Sequence, residues 1–417
     1  MNLYRLELKR VCKTRMTAIL LAIALVLAVV MAYLPVTFIG WTELDASGNE
    51  VRYTGLKAIR KRQEQQVSGT ITPDVMQEAL EAYQRVYRQY EASSINDIPV
   101  EVFYKELARY QPLVNNAKEA FADPKTGMAP GVMGLTAEDM QNFYSQLPKR
   151  LKSVIWLEQS GKPGYEQAQA IAQKKFDAVQ KPFTYSFGVS SDAMDYQTLL
   201  SLLLTLLCAV IAAPVFASDA QTGAQDIQLC TKNGGLRLAA AKLAAAFSIT
   251  GAAYLLCGVV WILVTNALFG WESTQTSVQW LFSVTSLLPY TVGQMEWVML
   301  VANFLIFFAE VAFVLVASVW AKNNLTALSV ALISVVAPLI VYMVVPGSFG
   351  EWLSTLLPAG GIGLSNALMY KMISFDFLYA GEHAFFQADV LLASAPIKIV
   401  LLVGLAAWGY LRKTKVA

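Results

Sequence analysis

Residues 216–237 read FASDAQTGAQDIQLCTKNGGLR, from Phe216 to Arg237. The stretch separates two long apolar runs, 196–216 and 238–268. A polar break between runs of about 20 or more apolar residues reads as a connection between two membrane-crossing helices. A plain connector has no need of acids, amides, a Thr-Gly pair and a Gly-Gly pair. The stretch therefore fixes the chain as a membrane bundle and marks its first candidate site.

Composition agrees. Of 417 residues, 56% are hydrophobic and 15% charged, against about 25% charged in an ordinary soluble chain. Net charge is +2, without the basic tract that nucleic acid requires, so no nucleic-acid partner is expected. The four cysteines, Cys12, Cys208, Cys230 and Cys257, form no CxxC pair, which argues against a disulfide framework or a structural zinc. His383 is the single histidine. No GxxxxGK[ST] phosphate loop, HExxH or GxSxG motif occurs. No catalytic residue, metal site or cofactor of the chain's own is expected.

Working outward, the apolar runs predict six spans: 17–39, 196–216, 238–268, 297–320, 325–345 and 396–411. The first run is too long for a signal h-region and reads as an uncleaved anchor. The run 278–290 is shorter, and the outer loop 269–296 that holds it reads as carrying an interfacial or re-entrant segment. Basic residues favour the cytoplasmic side. Arg5, Lys9, Arg10, Lys13 and Arg15 precede span one against Glu7. Lys232, Arg237 and Lys242 follow span two, Lys322 follows span four, and Arg412, Lys413 and Lys415 close the chain. The opposite connections carry Lys371 and Lys398 against Glu272, Glu296, Glu351, Asp376, Glu382 and Asp389. This predicts cytoplasmic termini, with 1–16 and 412–417 inside, and an extracytoplasmic region 40–195.

That region is near neutral and reads as helical. Thr72-Pro73 predicts an N-cap with proline in the first turn, opening a helix to about residue 93. Pro99 opens another to about 110. The 136–139 capping box opens a third to about 160, broken by Gly161–Gly164 before a last helix to about 180. Apolar and tyrosine residues over 79–90 recur at helical spacing, a packing stripe or, less simply, a binding face. The fold class expected is an all-α integral membrane protein with a helical insert between spans one and two.

One span, a large insert and five further spans with both ends inside resembles the permease subunits of the ABC-2 transporter family. The most specific part of the likeness lies in 216–242: aromatic Phe216, acid Asp219, the Thr222-Gly223 turn, the run 227–229, then Gly234-Gly235 with Arg237. Departures are the single acid at Asp219 and a basic partner displaced to Arg237. The N-terminal LYRLELKR is similar to that family's amphipathic elbow, with Leu3, Leu6 and Val11 on an apolar side and Arg5, Lys9 and Lys13 on a basic one. Segment 346–395 resembles its re-entrant helices before the last span. The resemblance implies a bacterial cell-membrane exporter for a peptide, lipid or amphipathic substrate. Its partners would be a separate cytoplasmic ATPase that binds the ATP, a second permease copy or homologue, and membrane lipids. It also implies that 217–237 receives the ATPase through Phe216, Asp219, Thr222, Gly223, Gln225, Asp226, Lys232, Gly234 and Arg237.

Two residues inside the spans stand apart. Glu310 lies near the middle of span four, and Asn303 seven residues earlier on the same helical face. An acid at that depth faces the protein interior or water. The pair is either a stretch of transport path or an interhelical hydrogen-bond site. Pro214, Gly251 and Pro338 read as packing or kink residues, and Lys398 as a snorkelling lysine. An alternative function stays open: an ATPase-independent envelope receptor, or a secretion-accessory protein with the same membrane fold.

Overall fold

The computed structural model describes residues 3–44 and 49–414; Lys415, counted in the basic tail, lies outside them. The chain is mostly helical, and six helices are long and apolar enough to cross a membrane. These are span 1 (Arg15–Phe38), span 2 (Ser191–Thr222), span 3 (Leu236–Phe269), span 4 (Val292–Trp320), span 5 (Asn324–Val344) and span 6 (Gln387–Lys413).

Most run past the limits of the apolar run. Hydropathy reports where side chains meet lipid, whereas helices continue wherever backbone bonds and caps allow. Span 4 opens at a capping box in which Thr291 and Gln294 exchange bonds. Glu296, expected in a loop, is therefore inside the helix and buried. Span 6 likewise absorbs 387–395, so Asp389 stands in its first turn.

Span 4 is the centre of the bundle and touches spans 2, 3, 5 and 6. Spans 2 and 4 are mostly buried along their length. The outer spans expose apolar side chains such as Val26, Ile333, Met343 and Val400. Without a water-driven hydrophobic effect, spans associate through close packing. A Cβ on Gly251 would strike the Phe308 ring, and one on Gly258 would strike Leu300. These two glycines therefore let span 3 approach span 4, the packing role read for Gly251. Between them along span 3, Tyr254 stacks on Phe307 at 4.4 Å, and Phe304 meets Phe308 at 4.3 Å.

Residues 40–190 make up the segment of chain between spans 1 and 2. Its helices include Leu56–Gln65, Pro73–Gln89, Gln111–Ala120, Phe143–Gln159 and Tyr165–Asp177. Thr72 caps the second with proline at its start, and Thr136 and Asp139 form the expected capping box. The purely helical expectation needs correcting. An antiparallel hairpin pairs Gly40–Leu44 with Glu50–Thr54, and Gly69–Thr70 pairs with Thr184–Tyr185. A further hairpin, Phe377–Ala380 with His383–Phe386, lies in the segment before span 6.

This body is seated on the bundle at two places. The first is the 277–291 segment, expected along the interface. It holds one short helix, Val278–Leu281, and is covered: Trp280 stacks on Phe143 at 6.4 Å and meets Phe183 and Tyr185 edgewise or tilted. Glu119 accepts from Ser283 and from the Val284 amide. The second is the 377–386 hairpin. Gln159 donates to the Phe375 carbonyl and accepts from Tyr379, Gln167 accepts from the Ala384 amide, and Lys175 pairs with Asp389 at 2.9 Å.

Candidate functional site

At the opposite end of the bundle the chain builds a joint of four charges. The N-terminal helix Leu3–Cys12 lies against span 3, where Tyr4 donates to Ser248 at 3.0 Å. Its inward face is not the apolar one expected. Glu7 and Val11, one turn apart, are buried, while Leu6 is exposed. Arg5, Lys9 and Lys13 are exposed.

Glu7 is turned inward because a lysine waits there. Lys242, two turns into span 3, is 1% exposed and surrounded by alanines. Its Nζ stands 2.6 Å from Asp219 Oδ2 and 3.3 Å from Glu7 Oε1. Arg10 closes the ring: Nη1 lies 2.7 Å from Asp219 Oδ1 and Nε 2.9 Å from Glu7 Oε2, while Nη2 donates to the Val215 carbonyl at 2.9 Å. Two acids and two bases cancel. An isolated buried charge costs several kcal/mol, and a paired one survives only if its partners are well placed. The ring therefore ties the N-terminal helix, the end of span 2 and the start of span 3 into one unit.

Asp219 is accordingly corrected from a surface contact to an internal one, since both its oxygens are engaged inside the chain. Phe216 is buried as well. Its ring packs 5.5 Å from Tyr410 of span 6, with Lys242 6.0 Å from its centre. Pro214 opens the last two turns of span 2, where fixed φ suits a helix start. The amides of Phe216 and Ala217 donate to Ser318 Oγ of span 4 at 2.9 and 3.1 Å.

Beyond the joint, the segment expected as a loop is largely helical. Span 2 continues to Thr222 and ends at Gly223, whose φ of 72° is a left-handed helix terminator that costs glycine little. The short helix Ala224–Leu229 follows, and only 230–235 turns irregularly into span 3. A Cβ on Gly234 would collide with the Gln228 carbonyl, so the turn folds back tightly there. Thr222, Asp226, Lys232 and Arg237 are exposed, and Arg237 reaches Asn233 at 3.3 Å. Ile227 is 74% exposed. Gln225 and Asp226 face a cleft of about 450 Å³ whose far wall is Trp320, Gly409 and Arg412. Lys413 beside it donates to the Val319 carbonyl at 2.5 Å, a cation on the C-terminus of span 4.

The two intramembrane residues are not bonded to each other. Asn303 lines a small cavity of about 20 Å³ with Gln197, Ser201 and Tyr254. That is room for about one water. Glu310, two turns further along the same face, accepts from Ser334 of span 5. Glu296, seven residues before Asn303, continues the same face and accepts from Asn266 at 2.7 Å. Lys398 does not snorkel outward: it donates to the Thr355 and Leu357 carbonyls at the end of the helix Gly347–Leu356.

The residues missed from sequence are Glu7, Arg10 and Lys242, which entered only a charge count. Lys242 carried a usable signal, a lysine inside a run of alanines. Neither a family model, nor a curated protein, nor a solved structure matches this chain.

Proposed function

We propose that this chain is the membrane-spanning subunit of an ABC exporter, moved by a separate ATP-hydrolysing subunit that docks on 222–237. The observation carrying this reading is the joint between buried and exposed parts. The helix Ala224–Leu229 presents Asp226 and Ile227 to solvent. One turn behind it, span 2 is locked to span 3 and the N-terminal helix by four mutually paired charges. A push on the exposed helix then reaches three membrane elements together, because elements joined by packing and ion pairs move as a body rather than deforming.

The charge distribution supports an orientation with this end in the cytoplasm. Arg5, Lys9, Lys13, Arg15, Lys232, Arg237, Lys322 and Arg412 are all exposed there. Residues 40–190 would then stand outside the cell membrane. The 20 Å³ space beside Asn303 is too small for a peptide or lipid. The path past Asn303 and Glu310 therefore opens only when span 4 shifts against its neighbours, or forms against a second copy of the chain.

The test is affinity purification of the full chain in mild detergent. An ATP-hydrolysing subunit that co-purifies, and whose activity is lost from the complex on Ile227→Asp, supports the proposal. Homogeneous chain with no ATPase, under conditions that keep it folded, overturns it in favour of a receptor or accessory role.

A further inference from the structure

A groove of about 560 Å³ lies at the foot of the 40–190 body, where it meets the ends of the spans. One edge is Phe38, the last residue of span 1, and another is Ser190–Asp192 at the start of span 2. Span 1 has 24 residues and so runs about 36 Å, a little more than the roughly 30 Å hydrocarbon core. Its end, and the groove with it, falls at the depth of lipid headgroups. Phe38 is 63% exposed and stacks on Tyr196, and tyrosine is enriched at that level.

The groove is lined by one cation, Arg62. Arg62 of the helix Leu56–Gln65 lies over aromatic rings, its guanidinium carbon 4.2 Å from the centre of Phe187 and 5.8 Å from that of Trp41. Among the described residues it forms no ion pair and no side-chain hydrogen bond, and its buried Nε has no partner. Burial lowers its pKa from the ordinary arginine value. Its neighbour Lys61 differs, being paired with Glu43. Stacking occupies the faces of a guanidinium and leaves its in-plane N–H donors free, the geometry that accepts a two-oxygen anion.

The walls are fixed. Gln63 donates to the Phe187 carbonyl, Tyr185 donates to Gln66, and Thr276 bonds both the amide and the carbonyl of Ser186. The exposed residue Asn115 lines the same groove. Asp192, exposed at the rim, makes no ion pair with Arg62.

The geometry points to a phosphate-binding site at this groove, with Arg62 as its bidentate donor and the aromatic edge of Phe38 and Trp280 beside the attached apolar part. The depth of the groove supplies one source of the phosphate, an anionic phospholipid headgroup; a free phosphate in the surrounding water is the other.

The probes are phosphatidylglycerol and inorganic phosphate, added to the full-length chain in detergent and read by native mass spectrometry. Wild type is expected to retain one phosphatidylglycerol, and R62Q to bind it about tenfold more weakly at unchanged melting temperature. N115D, an isosteric change on the exposed wall, adds a repelling acid and is expected to weaken binding similarly. Retention of the lipid against excess inorganic phosphate assigns the site to lipid, and displacement assigns it to phosphate in general. Wild-type affinity in R62Q overturns the site; if R62Q melts lower, wild-type affinity in N115D does so instead.

Discussion

Lys242 illustrates how a single residue couples sequence to architecture. Its Nζ is out of water and pairs with Asp219 and Glu7. Removing one member of such a group leaves a buried charge unpaired, at a cost of about 3–5 kcal/mol. Asp219→Asn should therefore lower the melting temperature in detergent sharply. Asp219→Asn combined with Lys242→Met should recover much of the loss, because Glu7 and Arg10 remain a neutral pair; strictly additive losses would refute the coupling. Glu310 predicts the opposite. Glu310→Gln keeps an acceptor for Ser334, whose hydroxyl also reaches the Ala331 carbonyl at 2.8 Å, so stability should change by less than about 1 kcal/mol. Under the transport proposal its effect falls on substrate flux, and unchanged flux in a reconstituted assay would remove Glu310 from the path.

At the scale of elements, the helix Ala224–Leu229 and its two glycine hinges carry the functional argument. Gly223 sits at positive φ with open space around it. Gly223→Ala should cost about 1 kcal/mol from backbone strain alone, seen as a small fall in melting temperature with insertion intact. Ile227→Asp replaces an exposed side chain, so stability should hold within about 0.5 kcal/mol while partner capture is lost. A fall in stability instead would mean that Ile227 packs within the chain. Element types were readable where a cap or an apolar run stated them, as at Thr72-Pro73, Thr136–Asp139 and the six spans. Element ends were not. Glu296 and Asp389 look like loop acids in sequence because charge is the strongest local cue. Each lies inside a helix because it finds Asn266 or Lys175 in space.

For the whole molecule, the seat of 40–190 on the bundle is the feature no local pattern announced. Trp280 fills it from beneath, against Phe143, Phe183 and Tyr185. Trp280→Ala should cost about 3–5 kcal/mol and make 40–190 more sensitive to limited protease; protection equal to wild type would show that the 377–386 hairpin holds the body unaided.

Membrane class, the number of spans and the asymmetry of charge followed from the order of residues alone. Each is a one-dimensional property, set by run length and by counts between runs. The tertiary structure decided which charges face one another. Glu7, Arg10, Asp219 and Lys242 are spread over more than half the chain; the i,i+3 spacing pairs Glu7 with Arg10 on one helix, but nothing in sequence pairs either with Asp219 or Lys242. Only helix packing brings them within 3.3 Å, and only the low dielectric of that interior makes their pairing obligatory. The same holds for Arg62, an ordinary surface arginine in sequence, which becomes a candidate binding group because folding set it against Phe187 and Trp41 and, among the described residues, gave it no ion pair.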